Sequence, residues 1–169
     1  QSDPPSLEGH LRSLEGRLDS VSPPPARTVT IPVCYGHEFG PDLSVVAEHN
    51  ALSQEETVRL HSQAEYLIYM LGFTPGFPFL GGLDKRLHTP RRETPRTTVP
   101  EGSVGIANGQ TGIYPLSSPG GWQLIGRTPL RLFDPEQEEP VFYKPGDNLR
   151  FAPISRDEYL QLTEGGDHV

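Results

Sequence analysis

Three arginines on a proline-stiffened segment are the densest concentration of chemistry in this chain. From Lys85 to Arg96 five bases accompany a single acid, Glu93. Arg91, Arg92 and Arg96 alternate there with Thr and Pro, and each guanidinium is a planar fork that pairs with two oxygens, which suits a carboxylate or phosphate ligand. Surface arginines neutralised by the acidic last third, where nine acids oppose three bases from Asp134 to Val169, would produce the same letters. Two glycine-rich stretches flank this segment. In 72–82 (GFTPGFPFLGG) three phenylalanines, Phe73, Phe77 and Phe79, supply apolar wall, Pro75 fixes shape and Gly76 admits close backbone approach, as in a ligand groove. An Ω-loop packed on its own aromatic residues is the alternative. In 109–122 (GQTGIYPLSSPGGW) Gln110 and Thr111 offer polar groups, while Ser118, Gly120 and Gly121 could present backbone N–H groups as an anion nest. Two consecutive turns explain that stretch equally, and Trp122 reads as core. Among the histidines, His61 at the expected end of a helix is the best placed for acid–base work. A histidine that merely complements the helix terminus is the commoner case.

Charge and spacing exclude several other chemistries. A net charge of −8 argues against a nucleic-acid binder that works by phosphate neutralisation. His37, His49 and His88 form no ligand spacing with one another or with Cys34, so no metal site is expected. The only lysines, Lys85 and Lys144, lie outside any Gly-Lys-Ser/Thr context, which excludes a P-loop. Cys34, flanked by Val33 and Tyr35, reads as a buried small hydrophobe in a reducing compartment. No apolar run approaches the ~20 residues that span a bilayer, and no signal-like start is visible, so no membrane association and a cytoplasmic protein are expected.

The elements that must position these groups are short. The chain holds 19 Pro and 18 Gly in 169 residues, which predicts many tight turns rather than long helices. Leu7, Leu11, Leu14 and Leu18 make one helical stripe over 7–21, ended by Ser22-Pro23-Pro24-Pro25, with a boundary near residue 26. The sole methionine, Met70, leaves no initiator residue, so a first domain is expected to be lost and this helix to be its remnant. Thr28–Val33 reads as an edge-type strand carrying Pro32. A helix capped by Asp42 runs to Asn50, which suits a left-handed C-terminal position, and Ser53-Gln54-Glu55-Glu56 opens a second helix that ends near Ser62. YLIYMLGF (66–73) reads as a buried central strand, and Ser103–Ala107, Trp122–Gly126, Leu130–Phe133 and Leu149–Ala152 as short strands. A mainly β barrel or sandwich with a small helical insertion follows, over 27–160, with a tail at 161–169.

The succession IPVCYGHEFGPDL (31–43), LHSQAEYLIYMLGFTPGFPFLGGLD (60–84), the run from Thr89 to Pro135 and PGDNLRFAPIS (145–155) closely resembles the B subunit of bacterial 5-oxoprolinase. That family is also described as KipI-like or allophanate hydrolase subunit 1. The resemblance implies a cyclophilin-like β-barrel with two short helices, after the remnant helix of an N-terminal α+β domain. It implies a non-autonomous member of an ATP-dependent complex that opens 5-oxo-L-proline to glutamate, with partners of the A and C types and ATP used at the level of the complex. The lactam oxygen is first phosphorylated in that scheme and the activated species hydrolysed. Two alternatives come with the family: an inhibitor that binds a sensor histidine kinase, and a carboxyltransferase-type subunit that acts on urea or allophanate-like substrates. Carried over by position, the resemblance favours loops 72–82 and 109–122 as groove walls and Arg91 or Arg96 as a carboxylate anchor, with His61, the catalytic candidate, nearby in sequence. His37 and Asn108 stand where the family pattern leads one to expect glycine, at turns.

Overall fold

The computed structural model describes Gly9, Arg12 and residues 26–165. The helix expected over 7–21 lies, apart from those two residues, outside the described residues. Nine strands and three helices occupy the stretch 26–165 in chain order. They are β1 (Thr28–Tyr35), α1 (Leu43–His49), α2 (Gln54–Gln63), β2 (Tyr66–Leu71), β3 (Pro78–Gly81), β4 (Arg96–Val99), β5 (Ser103–Ala107), β6 (Gln110–Ile113), β7 (Ser118–Gly120), β8 (Gln123–Arg127), β9 (Asn148–Ile154) and α3 (Arg156–Glu164). A single turn of 3₁₀ helix, Lys85–Leu87, separates β3 from β4.

Seven strands form one sheet in the order β3-β2-β9-β1-β8-β5-β6, curled into a nearly closed, cyclophilin-like barrel. The two edge strands, β3 and β6, lie side by side without pairing, which leaves a seam in the barrel. β4 and β7 form a separate two-stranded ribbon. β1 is parallel to β9 over seven pairs, Thr28↔Asn148 to Cys34↔Ile154, and meets β8 only at Cys34 and Tyr35. Pro32 thus sits in a stretch with one neighbour only, which is how an interior strand tolerates a missing N–H.

Period-2 alternation fills the barrel. Ile31 and Val33 of β1, Tyr66 and Ile68 of β2, Val104 and Ile106 of β5 and Leu149 and Phe151 of β9 point inward, all fully or almost fully buried. α2 closes one end with Thr57, Leu60 and His61 at i, i+3 and i+4. Ser53 Oγ accepts the Glu56 N–H at 3.1 Å and so caps this helix, but the Glu56 carboxylate goes to Arg59 instead of completing the box. A complete capping box appears instead at Ser155 and Glu158, opening α3, and that helix runs through the position at which the tail was expected to begin.

Several expectations are corrected. β2 is covered on one face only: a bulge between Ile68 and Met70 breaks its alternation, leaving Tyr69 66% and Met70 52% exposed. Leu130–Phe133 is not a strand but a loop pinned by the buried Leu132. Asn50 has φ −101, and the left-handed residue is Ala51 at φ 53. At the two positions where glycine was expected, His37 and Asn108 adopt φ 48 and 52. These are left-handed turns, a conformation for which Asn and His are several-fold enriched among non-glycine residues.

Candidate functional site

A second, smaller core lies beside the seam. Phe77, Val99, Tyr114 and Leu124 are buried there, with Phe79 and Trp122 packed against them. Phe77 is the hub, meeting Phe73, Phe79, Tyr114 and Trp122 edge to face at centroid distances of 5.5–5.8 Å. Such T-shaped contacts set the positive edge of one ring on the negative face of the next. Above them is a groove of about 140 Å³, walled by Phe73, Phe77 and Phe79 from the first glycine-rich stretch and by Gln110, Tyr114 and Trp122 from the second. Pro119, Gly120, Gly121 and Arg91 complete it.

Glycines let these rings close up. A Cβ on Gly120 would stand 2.5 Å from the Tyr114 hydroxyl oxygen, and one on Gly112 3.0 Å from Phe77 Cζ. Neither Gly120 nor Gly121 has positive φ, and residues 118–120 pair with β4 through Arg96↔Gly120 and Val99↔Ser118. The backbone nest expected there is therefore a strand, whose peptide groups are committed to a ladder. Phe73, at the mouth, is 75% exposed and has φ 69. A bulky side chain held in the left-handed region is a strained feature, and strain of this kind clusters at functional sites.

Arg91 has no carboxylate partner among the described residues and stands exposed at the groove. Tyr114 is different. Burial raises its hydroxyl pKa above the usual value, while the nearby Arg91 and Arg96 pull it back, so at neutral pH it carries its proton and can donate. The Gln110 amide both donates and accepts. The groove thus offers aromatic walls, one cation, one amide and one hydroxyl. That set suits a small planar ring bearing a carboxylate.

Of the residues singled out in the sequence, Phe73, Phe77, Phe79, Arg91, Gln110, Gly120 and Gly121 converge on this groove. Pro75 and Gly76 border a neighbouring shallow depression, where the Gly76 carbonyl accepts from the Tyr143 hydroxyl at 2.7 Å. The Ser118 hydroxyl is shielded and has no hydrogen-bond partner, and its residue is outside the groove lining. Arg96 is engaged elsewhere: with Arg92 it pairs to Asp42 at 2.9 and 3.1 Å.

His61 and Thr111 lie in the core, away from the groove. His61 is fully buried, with Nδ1 2.8 Å from the Tyr35 hydroxyl and Nε2 2.8 Å from Thr111 Oγ1. Thr111 Oγ1 donates onward to the Gly105 carbonyl. It must then accept from His61 Nε2–H, which leaves Nδ1 to accept from Tyr35. Burial pushes the imidazole pKa down to about 3, so the ring is neutral and saturated. In this position it bridges α2, β1 and β6 rather than facing a ligand.

Tyr114, Pro119 and Trp122 are the lining residues that sequence reasoning did not single out. The signal was available in the strand period: Gln110, Gly112 and Tyr114 share one face, and Thr111 and Ile113 the other. Among the described residues no three His, Cys, Asp or Glu side chains converge as a metal site, and no helix is long and apolar enough to cross a membrane.

Comparison with known proteins places the chain. Residues 1–143 match the model of the carboxyltransferase domain, subdomain C and D. The chain is 54% identical over 161 residues to the 5-oxoprolinase B subunit of Bacillus subtilis, covering 94% of this chain and 67% of that protein. It is 58% identical over 130 residues to the Escherichia coli O157:H7 protein of the same name, covering 77% of this chain and 60% of the relative. The chain thus spans about two thirds or less of these relatives. A conserved uncharacterized protein from Pyrococcus horikoshii superposes with a TM-score of 0.77 at 45% identity, over 94% of this chain and 72% of that structure.

Proposed function

Because the chain belongs to the family of 5-oxoprolinase B subunits, within the carboxyltransferase subdomain C and D domain type, we propose that its aromatic groove binds 5-oxo-L-proline in an ATP-dependent complex. The observation that carries this reading is Arg91, a guanidinium without a carboxylate partner among the described residues, at the edge of a small aromatic groove. The five-membered lactam packs among the rings of Phe77, Tyr114 and Trp122, which stand nearly perpendicular to one another. Its carboxylate pairs with the Arg91 fork, and Gln110 and the Tyr114 hydroxyl serve the lactam amide. One cation and about 140 Å³ match that ligand and fall short of a triphosphate. Phosphorylation of the lactam oxygen by ATP and hydrolysis to glutamate are assigned to the complex with A-type and C-type partners, whose surfaces complete the open groove.

The test is reconstitution of this protein with those two partners. Glutamate release from 5-oxo-L-proline is expected only when both this protein and ATP are present. Arg91→Ala is expected to raise KM for 5-oxo-L-proline about tenfold or more, the loss of one charge-assisted pair, with a smaller change in kcat. Equal activity when this protein is left out, or an unchanged KM in the variant, overturns the reading.

A further inference from the structure

Asp42 occupies the N-cap position of α1 yet does not cap it. Its side chain makes no bond to the helix N–H groups. Only 3% exposed, its carboxylate is instead saturated from other directions. Oδ1 accepts from Arg92 Nη1 at 3.1 Å and from Arg96 Nη2 at 2.9 Å. Oδ2 accepts from the Leu124 N–H at 2.7 Å and pairs with Arg96 Nη1 at 2.9 Å. Arg96 thus grips it with both prongs of the fork, the geometry with the greatest orientational specificity. A buried carboxylate with two guanidinium groups carries a desolvation cost that a simple helix cap would not need.

Arg91 directly precedes the first of the two arginines that Asp42 holds. The Arg92 N–H donates to the Gly121 carbonyl at 2.8 Å, and Gln123 Nε2 donates to the Pro90 carbonyl at 3.0 Å. Arg96 pairs with Gly120 in the β4–β7 ribbon. Both neighbours of Arg91 are therefore tethered where β7 leads into β8, through Gly121 and Gln123, while the side chains of Arg92 and Arg96 are turned to Asp42. Of the three arginines, only Arg91 lines the groove.

We propose that Asp42 is a positioning residue for the ligand site: by holding Arg92 and Arg96, it fixes the segment that sets the Arg91 guanidinium at the aromatic groove. This rests on the reading of the groove as the 5-oxo-L-proline site. Asp42 touches no ligand itself, and its influence passes through backbone placement of residue 91.

The experiment is a double-mutant cycle in the reconstituted complex, with KM for 5-oxo-L-proline, kcat and the melting temperature of each purified variant as readouts. Asp42→Asn is expected to raise KM about three- to tenfold with a smaller change in kcat. In an Arg91→Ala background the same substitution is expected to leave KM unchanged while lowering the melting temperature as before, because only the positioning effect needs Arg91. Arg92→Met is the second variant should Asp42→Asn not fold. It removes the Arg92 side-chain contact to Asp42, leaves the Arg92 N–H on the Gly121 carbonyl and Asp42 paired to Arg96, and is held to the same pattern. If Arg91→Ala raises KM but the folded Asp42 or Arg92 variant does not, the positioning role is overturned and the groove reading stands. Equal fold-changes in both backgrounds also overturn it. If Arg91→Ala itself leaves KM unchanged, the groove reading fails, and the positioning role fails with it.

Discussion

Replacing His61 with Gln removes a pH dependence of stability that comes from one buried ring. The imidazole is neutral in the folded protein, with its pKa lowered to about 3 by burial, against 6.5 for an ordinary histidine. Since the folded value is the lower one, the unfolded chain binds the extra proton first as pH falls. The native state is therefore penalised from about pH 6.5 downward until about pH 3, with a slope of about 1.4 kcal/mol per pH unit. Integrated from pH 7 to pH 4.5, the His61 contribution falls by about 2.5 kcal/mol. The glutamine amide of the variant binds no such proton, and every other titrating group is common to both proteins and cancels in the difference. Urea unfolding at 25 °C, followed by Trp122 emission, measures the stability gap between wild type and His61→Gln at the two pH values. That gap is expected to move by about 2.5 kcal/mol against the wild type on acidification, whatever its size at pH 7. A gap that is the same at both values would refute the neutral, doubly bonded assignment and with it the placement of His61 as a core bridge.

Three further outcomes are expected. Trp122 is the only tryptophan and lines the groove, so 5-oxo-L-proline added to the complex should change its emission saturably, and the Arg91→Ala variant should show no saturation over the same range. Gly120→Ala drives a methyl group into the buried Tyr114 hydroxyl, an overpacking cost of about 1–3 kcal/mol that Gly120→Ala with Tyr114→Phe should partly recover in urea midpoints. Ala51→Gly relieves a left-handed alanine at φ 53 and should stabilise by about 0.5–1 kcal/mol, read as a higher melting temperature.

Sequence reasoning recovered what depends on local rules and lost what depends on which way a strand faces. The helix at Ser53 was legible because a capping hydroxyl and a glutamate three residues on are adjacent in the chain, and the β1, β5 and β9 strands because alternation or apolar runs mark them. Composition left the two glycine-rich stretches open between groove walls and self-packed turns, and the family resemblance favoured the groove. Gln110 and Thr111 were grouped because they are neighbours, although β6 sends them to opposite faces. His61 drew attention for its position at a helix end, whereas its environment comes from Tyr35 and Thr111, 26 and 50 residues away in the chain. Asp42 looked like a cap because its bonds to Arg92, Arg96 and Leu124 span 50 to 82 residues and leave no trace in local pattern. Leu130–Phe133 shows the converse error, since burial of one residue, Leu132, suffices to anchor a loop and needs no ladder.

The seam between β3 and β6 has a mechanical meaning. Around most of the barrel, moving one strand outward must stretch a ladder of backbone hydrogen bonds. Between β3 and β6 no such ladder exists, and the ring of Phe77, just before β3, packs over Gly112 of β6 there through dispersion contacts, which have a shallow restoring force. The gap between those two strands is thus the most compliant dimension of the barrel, and it is the same dimension that sets the width of the groove. A ligand or partner that wedges this site open works against ring packing alone and leaves the hydrogen-bonded ladders of the barrel at their resting length.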